Sequence, residues 1–239
     1  MIIDTTFNVY SDAQGGDPDS TSPTLRKYHK ILWSKSLPNG KTFELSDKDG
    51  VYLYHNSDLG EFILGSDAIT HSYKNHKRKH WLTKQIPDEV NELFDTGSTI
   101  GAYTVFPNNV IDGKHTINQA RGVNSFIDDR FDLTLECIRL FYMGRQSPLY
   151  DTLLRYKSFF DLYDGFIGYV NFFLFDDLID EKQKVRFYLP FDDFKTKPSF
   201  SDINEYLVYK KGVMDFIKLR NKRIENYANQ RTTNWNASP

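Results

Sequence analysis

Residues 51–65 read VYLYHNSDLGEFILG, and the folding of this stretch decides the class of the whole chain. Two runs of aromatic and aliphatic residues, VYLYH and EFILG, flank the turn-forming NSDLG, which predicts two short strands joined by a turn. Alternation puts Tyr52 and Tyr54 on one face of the first strand and Val51, Leu53 and His55 on the other. Working outward, KTFEL (41–45) precedes this pair and IGAYTVFP (100–107) follows it, both with strand composition. Together they predict a central antiparallel sheet.

Helical signals surround the sheet. Ser22 suits an N-cap and Pro23 a first helical position, and Leu25, Tyr28, His29, Leu32 and Trp33 then recur on one face. That face predicts core, with His29 hydrogen-bonded. Arg26 and Lys30 outside it, with Lys35 beyond, also suit the phosphates of a pyrophosphate or nucleic acid.

A long helix is expected from Asn124 through Ile127, Phe131, Leu135, Ile138 and Tyr142, ended by Gly144. Its polar stripe, Asp128, Asp132, Glu136 and Arg139, is spaced for local ion pairs, or, if buried, for a polar site inside the core. SPLYDTLLRYKSFFDLY (147–163) predicts a second helix and VRFYLP (185–190) a strand, while GFIGYVNFFLF (165–175) fits either. The expected architecture is α+β: a single domain over residues 1–227 with a mostly helical C-terminal half, then a flexible tail over 228–239.

Composition sets further bounds. The 239 residues include 19 Phe and 15 Tyr, so burial leans on aromatic rings. Thirty Lys and Arg against 32 Asp and Glu argue against a protein that coats DNA non-specifically. A single cysteine, Cys137, excludes an internal disulfide and a multi-cysteine zinc site. His76 and His80 have helical spacing but no acidic partners nearby, so no metal is expected. No apolar run is long enough for a bilayer and the N-terminus does not read as a signal peptide, so the expectation is a cytoplasmic protein without membrane contact. Dinucleotide-fold, P-loop, zincin and α/β-hydrolase motifs do not occur.

Two stretches carry binding chemistry. In the basic run 71–84, Lys74, Lys77, Arg78 and Lys79 alternate with Tyr73 and Trp81, a pattern that suits single-stranded nucleic acid or a solvated loop. TINQARG (116–122) reads as a loop before the long helix, either one where Asn118 and Arg121 meet a cofactor phosphate or, since Asp128 and Asp129 would repel an anion there, a structural loop.

Several segments resemble an uncharacterised bacterial protein family: TLRKYHKILWSKSLPNG (24–40), TINQARG, DRFDLTLECIRLFY (129–142) and LRNKRI (219–224). That resemblance implies one shared domain and no particular activity. A more distant one concerns His55-Asn56-Ser57 and Asn204-Glu205-Tyr206-Leu207-Val208-Tyr209, which resemble two elements of the His-Tyr-Glu ADP-ribosyltransferases. It implies NAD as cofactor, with His55 orienting it, Tyr54 and Ser57 contacting it, an aromatic stacking on nicotinamide (Tyr103 by order, with Tyr28 and Trp33 as rivals) and Glu205 stabilising the ribosyl cation. It further implies a nucleic-acid or protein acceptor, a toxin or phage-defence role and a neutralising antitoxin partner. Asn56 departs from the Gly usual in that motif. Residues 203–209 also fit an amphipathic helix capped by Ser201, the stronger pattern of the two, in which Glu205 is a first-turn acid. The alternative function is a non-enzymatic module that binds a nucleic acid or a protein.

Overall fold

Asp12 organises the N-terminal region through two hydrogen bonds: its carboxylate accepts from Ser22 Oγ at 2.5 Å and from the Thr24 amide at 2.9 Å. Ser22 in turn accepts from the Leu25 amide at 3.1 Å and so caps α2 (Pro23–Trp33), with Pro23 in the first turn as expected. The computed structural model describes residues 2–74, 77–198 and 200–236, apart from the side chains of residues 78 and 231–236. A single turn, α1 (Pro18–Thr21), precedes α2. Leu25, Tyr28, His29, Leu32 and Trp33 form the buried face of α2, as their spacing predicts.

Two antiparallel sheets follow. β1 (Lys35–Ser36) pairs with β2 (Thr42–Phe43). The predicted pair of strands becomes β3 (Leu53–Ser57) and β4 (Gly60–Ala68), in register from Leu53↔Leu64 to Ser57↔Gly60. Gly60 turns the chain at φ 123°, a conformation that favours glycine. With nine residues, β4 has length for two partners: its first half pairs with β3 and its second with β5 (Tyr103–Pro107), from Leu64↔Pro107 to Ala68↔Tyr103. The sheet order is therefore β3-β4-β5.

The remaining elements are helical: α3 (His80–Thr83), α4 (Pro87–Thr96), α5 (Ile117–Val123), α6 (Phe131–Tyr142), α7 (Tyr150–Arg155), α8 (Lys157–Phe160), α9 (Phe166–Phe173) and α10 (Ile203–Asn236). The fold is α+β with a mostly helical C-terminal half. Among the described residues no helix is long and apolar enough to cross a membrane.

Local chemistry explains where the elements depart from expectation. TINQARG is a helix rather than a loop, because Thr116 and Gln119 form a capping box. The long helix begins at Phe131 and not at Asn124, since Asp128 and Asp129 both adopt positive φ, which stops helical propagation. VRFYLP is not a strand; one isolated bridge, Ile179↔Val185, is its pairing. GFIGYVNFFLF resolves as α9. Beyond Tyr227, α10 runs on to Asn236 with Ala228 buried, and residues 237–239 of the expected tail lie outside the described residues.

An aromatic core joins the two halves. Trp33 of α2 lies against Phe172 and Phe173 of α9, and Tyr163, Tyr169 and Phe175 continue the cluster. Arg220 of α10 threads this core, donating to the carbonyls of Phe173, Gly101 and Tyr103. Burial among these rings lowers its pKa to about 9.

Candidate ligand-binding cleft

The structure commits His55, Ser57, Tyr54, Glu205 and Arg121 of the sequence-derived NAD site to partners of their own. His55 is 1 % exposed; its Nδ1 lies 2.7 Å from the Glu44 carbonyl oxygen and 3.2 Å from the Glu44 amide, and its Nε2 is hydrogen-bonded to Ser57 Oγ at 2.8 Å. The imidazole also stacks on Phe43 at 4.2 Å between centroids. His55 and Ser57 thus come together, but each satisfies the other. On the opposite face Tyr54 donates to Glu61 at 2.7 Å under the Lys48 ammonium. Tyr103 is 3 % exposed at the start of β5.

Glu205 sits in the first turn of α10, not on a strand. Its carboxylate accepts from the Ser201 amide at 2.6 Å and Ser201 Oγ at 2.9 Å, while the Glu205 amide donates to Asp202 at 2.9 Å. These are helix-capping contacts. The strand alternative for residues 203–209 is corrected accordingly.

Asn118 lies half-buried in the first turn of α5, and Arg121 in its last turn. Arg121 is fully buried, bonded to Asp67 and to Thr134 Oγ1, so it supports β4 instead of meeting a ligand phosphate. Burial pushes the Asp67 carboxyl up to about 6 despite Arg121, with Asp129 and Asp17 adding to the rise.

In the basic run, the Lys74 ammonium lies 4.4 Å from the Phe94 ring. Lys79 donates to the Phe200 carbonyl at 3.1 Å and covers that ring at 4.3 Å, and burial lowers its pKa. Lys77 is exposed. The side chain of Arg78, and His76, lie outside the described residues.

A cleft of about 800 Å³ opens elsewhere, between β1, the start of β2, the turn before α9, α9 itself and Tyr227 of α10. Its size falls in the range of small-molecule sites. Ser34, Lys35, Ser36, Leu37 and Pro38 supply one wall; Tyr163, Asp164, Gly168, Asn171 and Phe172 supply the other. The Lys35 ammonium stands 4.5 Å from the Phe172 ring, 4.6 Å from Tyr227 and 5.1 Å from Trp33. Rings from three different helices thus surround one cation. Gly168 is required here, since a Cβ would collide with the Tyr163 carbonyl and push α9 off the turn that shapes the cleft.

Sequence reasoning singled out Lys35 but missed the opposite wall. Ile167, Gly168, Asn171 and Phe172 share one face of α9 at helical spacing. That periodicity was the available signal, once GFIGYVNFFLF is read as a helix.

A second groove, of about 420 Å³, runs along the outer face of α2, lined by Arg26, Lys27, Lys30 and Asp47 among others. Ser34 lines both.

No curated protein and no solved structure matches the chain. One protein family does: the profile of a family of unknown function, DUF6994, matches residues 3–224. The match takes in all of the sheet, every cleft-lining residue except Tyr227, and the groove along α2. The chain is a member of this family of unknown function.

Proposed function

We propose that this domain binds a nucleotide in the cleft beside Lys35, with NAD as the leading ligand. The observation that carries the reading is the Lys35 ammonium, set among the rings of Trp33, Phe172 and Tyr227 at the wall of an open cleft. Tyr227, the partly exposed ring of the three, offers a face for a base or nicotinamide ring, and an ammonium has donors for a phosphate. Ser36, Thr42 and Asn171 add polar side chains for a sugar.

Binding is the better-supported half of this reading. ADP-ribosyl transfer to a nucleic-acid or protein acceptor is a further step, and its toxin role and neutralising partner belong to that step. Glu205 caps a helix, so cleavage of NAD here would draw on Asp164, the carboxylate of the cleft lining.

Calorimetric titration of NAD, ADP-ribose and adenosine into the full chain tests the binding. We expect micromolar-range binding of the phosphate-bearing ligands, weakened at least tenfold by Lys35→Met. Binding that ignores Lys35→Met, or no binding of any of the three, contradicts the proposal. Nicotinamide release by wild type, Glu205→Gln and Asp164→Asn tests the transfer step: release unaffected by Glu205→Gln but abolished by Asp164→Asn is expected if NAD is cleaved.

A further inference from the structure

On the outer face of α2, Arg26 and Lys30 lie four residues apart, a rise of about 6 Å, and Ser34 follows four residues later at the helix C-cap. Ser34 lines both depressions and directly precedes Lys35. The groove and the cleft therefore share one lining residue, Ser34, at the end of α2.

The two basic side chains already share an anion. Arg26 Nη2 lies 3.0 Å from one oxygen of Asp47, and Lys30 Nζ lies 2.6 Å from the other. The Asp47 side chain is 68 % exposed and comes from the turn region SDKDG, which joins β2 to β3. Lys30 beside it holds its carboxyl below the usual carboxylate range. The cations are better fixed than the anion: Arg26 also donates to the Val51 carbonyl at 3.4 Å and lies over the Tyr52 ring, and Lys30 is half-buried.

Exposed ion pairs are individually weak, so a carboxylate on a solvent-facing turn is easily displaced by a more highly charged anion. A phosphate offers more acceptor oxygens than a carboxylate to a guanidinium and an ammonium held side by side.

We propose that Arg26 and Lys30 form a second phosphate subsite, occupied by Asp47 as an internal stand-in, which takes the outer phosphate of a nucleotide seated beside Lys35. The inference rests on the nucleotide reading of the cleft and narrows it to ligands with at least two phosphates. Asp47 then acts as a competitor that the ligand must displace.

Titrations of AMP, ADP and inorganic pyrophosphate into wild type, Lys30→Ala, Arg26→Ala and Asp47→Asn decide the matter. ADP should bind about tenfold more tightly than AMP. Lys30→Ala and Arg26→Ala should each weaken ADP about five- to tenfold and leave AMP unchanged. Asp47→Asn should tighten ADP about threefold or more, a gain that misfolding cannot mimic. If AMP and ADP bind equally and all variants behave as wild type, the subsite is overturned while the cleft reading stands. If neither nucleotide binds but pyrophosphate does, and more tightly in Asp47→Asn, the subsite stands and the cleft reading falls. No binding of any probe overturns both.

Discussion

The indole N–H of Trp33 donates to Nδ1 of His29 at 2.9 Å, and this bond fixes the imidazole tautomer. The His29 proton therefore sits on Nε2 and is donated to Ser66 Oγ at 2.9 Å. Ser66 in turn points its hydroxyl at Asp19 Oδ1, 3.3 Å away. A single chain of donors thus leads from α1, across the second half of β4, to the ring that stands under Lys35. It holds Trp33 in place, and the Arg220 guanidinium lies 5.8 Å from the same ring.

Two groups in that chain titrate in opposite senses. Burial, reinforced by Arg220, lowers His29 from its ordinary 6.5 to about 3. Its contribution to stability is complete above the unfolded value and is lost as pH falls from about 6.5 toward about 3. Burial, with Asp67 and Asp17 adding to it, raises Asp19 from 3.8 to about 8. That contribution is complete below the unfolded value and is lost as pH rises toward about 8. Asp19→Asn keeps a side-chain acceptor for Ser66 but cannot ionise. Urea denaturation should show the variant gaining stability over wild type at about pH 9 relative to about pH 5. An equal difference at both pH values would contradict this assignment.

Arg121 and Asp67 predict a non-additive pair. Either Arg121→Met or Asp67→Leu leaves a buried charge without its partner, and each should cost about 3–5 kcal/mol in chemical denaturation. The double variant should recover most of that loss, because both charges leave together. Costs that simply add would mean that the two side chains do not depend on each other.

Glu205 should behave as a cap and as nothing more. Glu205→Gln is expected to lower stability by less than about 1 kcal/mol, measured by thermal or urea unfolding. Nucleotide affinity should stay at the wild-type value. A loss of binding with unchanged stability would return Glu205 to a ligand site.

Much of the fold was legible because its signals are local. Ser22 and Pro23 start α2 as their chemistry predicts. Gly144 ends α6 at φ 67°, with the Arg145 amide bonded to the Leu140 carbonyl at 2.8 Å and the Gly144 amide to Phe141 at 2.9 Å. His29 is hydrogen-bonded in the core, as its place on the apolar face implies. Helix α5 escaped because its seven residues show too few periods to outweigh an apparent loop composition. Asp128 fits the helical pattern in sequence, yet the positive φ values of Asp128 and Asp129 interrupt it.

The site was less legible than the fold. Lys35, Phe172 and Tyr227 are separated by more than 50 residues at each step, and no local pattern ties them together. His55 and Glu205 instead attracted notice through short motifs. Short motifs do not reveal whether side chains are already satisfied, and here Ser57 and Ser201 satisfy them.

Trp33 is also the reporter for the most direct test of the cleft. The chain has three tryptophans, and Trp81→Phe with Trp235→Phe leaves Trp33 as the sole indole. Titrating NAD into that protein should change Trp33 emission along a saturating curve, and adding Lys35→Met should weaken the apparent affinity at least tenfold. NAD binding detected by calorimetry with no change in Trp33 emission would place the ligand elsewhere and contradict the account.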